Sequence, residues 1–172
     1  MKKIAIIGPE STGKSTLSQK LAEHFNEPFV LEYGRKYLEE NGEAYSQADL
    51  LAISKGMVIW EDKMSSIAKK LLFCDTDLIM MKVWYEVKYG ECHSWVLNQL
   101  NSNPYDYYLL CSPDLPWESD PLRENPEIRE ELFEKYRANL ENFQLPYSII
   151  KGENRSEKAK ECINEFILAS AS

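Results

Sequence analysis

Gly8-Pro9-Glu10-Ser11-Thr12-Gly13-Lys14-Ser15 is a complete Gly-x4-Gly-Lys-Ser segment. In such a segment the glycines let the backbone fold back, so that successive amide N–H groups and a helix N-terminus surround a phosphate. Lysine reaches the terminal phosphates, and the serine hydroxyl is a Mg²⁺ ligand. Gly8, Pro9, Glu10, Ser11, Thr12, Gly13, Lys14, Ser15 and Thr16 are therefore read as the ATP-binding loop, with Lys14 catalytic and Ser15 on the metal. The flanks agree with this. Ile4-Ala5-Ile6-Ile7 before it is a short continuous apolar run, the pattern of a strand buried on both faces of a parallel sheet. After it, Leu17, Leu21 and Phe25 recur every four residues and give one apolar face of a helix starting near Lys14.

The alternation continues along the chain. Phe29-Val30-Leu31 reads as a second strand ending at Glu32. Ser46 with Asp49 resembles a capping box opening a helix through about residue 69. Leu71 to Cys74, closed by Asp75, is a third strand, and Tyr107 to Cys111, after the turn residues Asn103-Pro104, is a fourth. Asn125-Pro126 reads as N-cap and first residue of a helix carrying Ile128, Leu132, Tyr136 and Leu140 on one face. Tyr147 to Ile150 is a fifth strand, and Ala159, Cys162, Ile163, Phe166 and Ile167 line a last helix. The expected fold is α/β of the P-loop NTPase kind, resembling nucleoside and nucleotide kinases. It has a five-stranded parallel sheet with helices on both faces, ligands at the strands' carboxyl ends, and a small lid at about residues 113–129. The 172 residues make one domain.

Composition excludes other classes. With 44% hydrophobic and 28% charged residues the chain is globular, and a formal net charge of −8 repels polyanions, which argues against nucleic-acid partners. The apolar run at the N-terminus is too short for a signal peptide or a membrane span, so a cytoplasmic protein is expected. Cys74, Cys92, Cys111 and Cys162 lack CxxC spacing and read as reduced core thiols.

A phosphate loop does not say what is done with the nucleotide. No Asn-Lys-x-Asp segment reads guanine, and Asp75 is followed by Thr76 where motor ATPases usually place Glu. Small-molecule kinases combine a carboxylate ending the second strand, another ending the third, and lid arginines. Glu32 is placed to accept a proton from a substrate hydroxyl as general base, or else pairs with Arg35. Asp75, ending an apolar strand beside the loop, needs a cation to offset its burial and is read as a Mg²⁺ ligand, the alternative being a helix cap. Arg123 and Arg129 in the proline-rich lid are candidates to stabilise a transferring phosphoryl group, or else pair with Glu124 and Glu130. Trp84, Tyr85 and Trp117 either stack on an aromatic base or belong to core and rim. His24 and His93 are incidental.

Beyond the loop, Glu32-Tyr33-x-Arg35-x-Tyr37, Phe73-Cys74-Asp75-Thr76-Asp77, Tyr105-Asp106, Pro113-Asp114-x-Pro116-Trp117-x-x-Asp120-x-x-Arg123-Glu124 and Ile150-x-Gly152 with Arg155 and Ala159 resemble the ribosylnicotinamide kinase domain of NadR-like proteins over nearly the whole chain. The resemblance implies ATP- and Mg²⁺-dependent phosphorylation of the 5′-hydroxyl of nicotinamide riboside. It makes Tyr33, Arg35, Asp77, Trp84 and Trp117 candidates for the substrate side. Met57 departs from it, standing where many relatives carry Gln. With His24 and His93 the only histidines, no His-x-Gly-His nucleotidyltransferase motif is present and adenylyl transfer is not expected.

Overall fold

The computed structural model describes residues 1–102 and 105–170, so the expected turn at Asn103-Pro104 lies outside the described residues. Five parallel strands, β1 (Lys2–Ile7), β2 (Phe29–Val30), β3 (Leu71–Asp75), β4 (Tyr107–Cys111) and β5 (Tyr147–Ile150), form one sheet in the order β2-β3-β1-β4-β5. Seven helices are described: α1 (Lys14–Phe25), α2 (Tyr33–Asn41), α3 (Gln47–Ser65), α4 (Leu78–Tyr89), α5 (Ser94–Ser102), α6 (Arg129–Asn142) and α7 (Arg155–Ala169).

Successive side chains of a strand point to opposite faces, so β1 feeds two cores. Ile4 and Ile6 pack with Leu17 and Leu21 of α1 and Ala159 and Ile163 of α7. Ala5 and Ile7 face the other way, into a larger core with Leu50 and Ile53 of α3, Ile79 and Val83 of α4, Val96 of α5 and Leu140 of α6. Each fully buried isoleucine of β1 contributes roughly 2 kcal/mol by leaving water. The sheet's C-terminal edge is thereby fixed, and the segments that leave it carry the site.

The expected capping box is present: the Ser46 hydroxyl accepts from Asp49 N and the Asp49 carboxylate accepts from Ser46 N at 2.8 Å. Four expectations need correction. β2 is two residues long and stops before Leu31. α3 ends at Ser65, not near residue 69. α6 starts at Arg129, flanked by Ile128, not at Pro126, and Asn125 N donates to Glu10 Oε2 at 2.9 Å. Cys74 and Cys111 are core thiols, whereas Cys92 and Cys162 are only partly buried.

Candidate active site

The phosphate loop joins β1 to α1 in a conformation that its residue types require. Gly8 has φ 146°, and a Cβ there would stand 2.5 Å from the Cys111 carbonyl oxygen on β4, so no side chain fits. Ser11 and Gly13 are left-handed at φ 56° and 75°, which folds the loop back on itself. Thr12 is buried and its hydroxyl donates to Pro9 O at 2.8 Å, closing the bend from inside. Lys14 Nζ donates to the same carbonyl at 2.9 Å. No side chain caps the start of α1 and no acidic residue occupies its first turn, so the positive end of the helix dipole is left to an external anion.

Two carboxylates face this loop. Asp75 ends β3 in register with Ile6 and is only 2% exposed, with no hydrogen-bond partner for either oxygen. Burial, and then the nearby charge of Glu32, push its pKa up to about 6, against the pull of Lys14, the Ser15 hydroxyl and Arg35. An orphaned buried carboxylate beside a serine hydroxyl fits a divalent cation. Among the described residues no group of three or more His, Cys, Asp or Glu side chains is arranged to hold a metal ion, and Mg²⁺ is a cation that usually keeps waters and phosphate oxygens beside one or two carboxylates. Glu32 is the N-terminal flanking residue of α2, its side chain makes no cap bond, and it lines the cleft.

The segment between β4 and α6 lies over the loop, held by three arginines with different duties. Arg123 Nη1 donates to Ser11 Oγ at 3.0 Å and to Glu118 O, and Glu118 N donates to Ser11 Oγ at 3.1 Å. Arg123 therefore stands at the phosphate loop and lines the cleft. Arg129, the other lid candidate, spends its donors on carbonyls: Nε on Glu10 O, and Nη2 on Ser11 O and Leu115 O, all within 3.1 Å. It braces the loop from behind and does not line the cleft. Arg155, at the start of α7, also holds loop carbonyls but, unlike Arg129, lines the cleft. It donates to Thr12 O and Ser112 O at 3.0 Å and pairs with Asp114.

A cleft of about 1360 Å³ runs from the phosphate loop to an apolar and aromatic wall that includes Ile53, Met57, Trp60, Met80 and Trp84. Of the expected substrate-side residues, Arg35 and Trp84 line it. Tyr33 does not. Its ring lies edge-on to Trp60, 4.9 Å between centroids, and across Gly56. Trp117 is also off the cleft, under the Arg129 guanidinium. Asp77 is fully buried and turned inward: Oδ1 caps α4 by accepting from Met80 N at 2.9 Å, and burial first of all raises its pKa to about 7. Oδ1 thus serves as a helix cap, while Oδ2 is buried without a partner. Tyr85 is core, its hydroxyl donating to Gln47 O.

Tyr45 was not singled out from the sequence, since its loop carries no periodic pattern. Its hydroxyl accepts from Trp84 Nε1 at 2.6 Å and donates to Glu124 Oε2 at 2.7 Å, so it fixes the indole and joins it to the lid. The Lys88 ammonium lies 3.4 Å from the Tyr45 ring centroid.

A family model described as an AAA domain matches residues 3–158. The chain belongs to this AAA domain family. It is similar to the trifunctional NAD biosynthesis/regulator protein NadR of Salmonella typhimurium, 34% identical over 126 residues that make up 70% of this chain and 30% of that protein. The AAA domain thus spans about a third of the length of that relative. Among solved structures it is similar to a NadR protein in complex with NR, with a TM-score of 0.80 and 24% identity over 96% of this chain and half of that one. It is also similar to a deoxyadenosine kinase from M. mycoides, with a TM-score of 0.66 and 15% identity over 95% of this chain and 99% of that one. These likenesses fix the fold as that of P-loop nucleoside and nucleotide kinases. No helix among the described residues is long and apolar enough to cross a membrane.

In chemical terms the AAA domain gathers at one end of its sheet an anion cradle, a buried carboxylate suited to a cation, a second carboxylate in the cleft and a guanidinium. Phosphoryl transfer depends on positioning and charge stabilisation more than on covalent participation by the protein.

Proposed function

We propose that this domain transfers the γ-phosphoryl group of ATP to the 5′-hydroxyl of nicotinamide riboside, giving the mononucleotide. The observation that carries the reading is the continuity of the cleft. Its volume of about 1360 Å³ exceeds the roughly 300–1,000 Å³ of a single-ligand pocket, and Glu32 and Asp75 line it together with the phosphate loop and the aromatic wall. Likeness to a NadR protein in complex with NR supports the same acceptor.

Lys14 and the backbone N–H groups of Gly8 and of Glu10 to Thr16 hold the triphosphate. Ser15 and Asp75 hold Mg²⁺, which when bound neutralises phosphate charge as a Lewis acid. Arg35 and Trp84 bound the riboside, orienting its 5′-oxygen toward the γ-phosphorus. Glu32 accepts the hydroxyl proton as the new oxygen–phosphorus bond forms and the bond to ADP breaks. Arg123 donates to the phosphoryl oxygens as their charge redistributes. The lid covers the loop and excludes water that would otherwise compete as acceptor.

A second reading, another nucleoside as acceptor, is favoured by Met57. It is buried in the cleft wall where many relatives of the resembling family carry Gln, so an apolar side chain stands in place of a polar one. The test is purified protein with ATP, Mg²⁺ and a panel of nicotinamide riboside, adenosine, deoxyadenosine and thymidine, with products identified by mass. Mononucleotide from nicotinamide riboside at the highest kcat/KM supports the proposal. Preference for another nucleoside establishes the second reading. ADP and phosphate without a phosphorylated acceptor refute both and leave a nucleotide-hydrolysing switch.

A further inference from the structure

A carboxylate inside a phosphate-binding loop is unfavourable on its face, since Glu10 adds negative charge where a polyanion must bind. The structure shows where that charge goes. Glu10 Oε1 accepts from Glu124 N at 3.0 Å and Oε2 from Asn125 N at 2.9 Å, so both oxygens are engaged by consecutive backbone amides of the lid. The backbone carbonyl of the same residue accepts from Arg129 Nε at 3.1 Å. Bonds from amide donors to an ionised carboxylate are about twice as strong as neutral ones. The residue immediately before these two amides is Arg123, whose guanidinium stands on Ser11, the residue after Glu10. Loop and lid are therefore stitched at adjacent residues on both sides.

We propose that Glu10 is a positioning residue that holds the backbone at 124 and 125 so that Arg123 is aimed at the phosphate loop. Glu10 acts through Arg123 and touches no reacting atom. The inference rests on the phosphotransferase reading for its catalytic consequence, while the contact itself is independent of any substrate.

Two measurements test it. The first is amide hydrogen exchange, residue by residue, in wild type, Glu10→Gln and Glu10→Ala. Exchange at Glu124 and Asn125 is expected to quicken by about tenfold in Glu10→Ala and by less in Glu10→Gln, which keeps one acceptor. Amides of β1 and β4 should be unchanged, which also shows that the variants are folded. Unchanged exchange at 124 and 125 overturns the proposal. The second is a double-mutant cycle on kcat with Arg123→Ala. Glu10→Ala alone should lower kcat by about tenfold or more while ATP affinity changes by less than about threefold. In the Arg123→Ala background the same substitution should change kcat by less than about twofold. Losses that simply multiply overturn the coupling to Arg123. If wild type phosphorylates no acceptor, the phosphotransferase reading falls on its own, and the exchange rates still decide whether Glu10 holds the lid.

Discussion

Arg35 on α2 and Asp120 on the lid form an ion pair across the mouth of the cleft, with Nη2 and Oδ2 3.1 Å apart. Asp120 Oδ1 also accepts from Leu122 N at 2.9 Å, so the carboxylate shapes the lid turn and ties it to the helix that follows Glu32. Both partners are partly exposed, and such pairs contribute about 1 kcal/mol or less to stability. In the proposed reaction their effect is on where the lid sits over the acceptor.

Asp120→Asn is accordingly expected to leave the melting temperature within about 3 °C of wild type while raising the acceptor KM by roughly tenfold. Steady-state kinetics with calorimetry checks both, and an unchanged KM removes the pair from acceptor binding.

Asp75 provides a prediction whose sign follows from its raised pKa, about 6 in the fold against an ordinary carboxylate value of 3.8. The folded chain holds this proton more tightly than the unfolded one, so stability from Asp75 is full below the unfolded value and is lost as pH rises through about 6. In metal-free buffer Asp75→Asn should therefore melt about 5 °C above wild type at pH 7.5 and match it below about pH 4. Mg²⁺ with ATP should stabilise wild type and do little for the variant. Equal pH profiles would show that the carboxylate is not confined without a counter-charge.

Glu32→Gln keeps shape and removes basicity. A fall in kcat of roughly two to four orders of magnitude is expected for a general base. A change confined to KM would make Glu32 a residue that only places the acceptor.

The two lid arginines should separate cleanly. Arg123→Ala should lower kcat by about a hundredfold or more with stability nearly unchanged, and lysine should rescue in part, because it restores charge without the planar fork. Arg129→Ala leaves three carbonyls without their charged donor, and is expected to cost about 2–4 kcal/mol of stability by denaturant unfolding. Loss of turnover without loss of stability in Arg129→Ala would return it to the chemistry.

The strands were legible because β1, β3 and β4 are buried on both faces and so consist of near-continuous apolar residues, whatever surrounds them. The phosphate loop was legible because its contacts are local: Thr12 and Lys14 both bond to Pro9, three and five residues away. What escaped was set by distant partners. Arg129 reaches carbonyls some 118 residues earlier, and Asn125 was read as a cap because nothing near it reveals that its N–H belongs to Glu10. The helices α2, α4 and α5 escaped for a different reason. α2 begins directly after Glu32 without a side-chain cap. The cap of α4 was present as Asp77, three residues before Met80, and was assigned to substrate instead.

Gly56 on α3 is covered by the Tyr33 ring so closely that a methyl group on its Cα would fall 2.1 Å from Cε1. Tyr33 is the first residue of α2, and Glu32 precedes it. The ring that opens α2 therefore lies against α3 only because residue 56 lacks one carbon atom. A methyl group there would turn the Tyr33 ring off Trp60 and loosen the packing of α2 on α3. The placing of Trp60 in the cleft wall is in this sense written at residue 56.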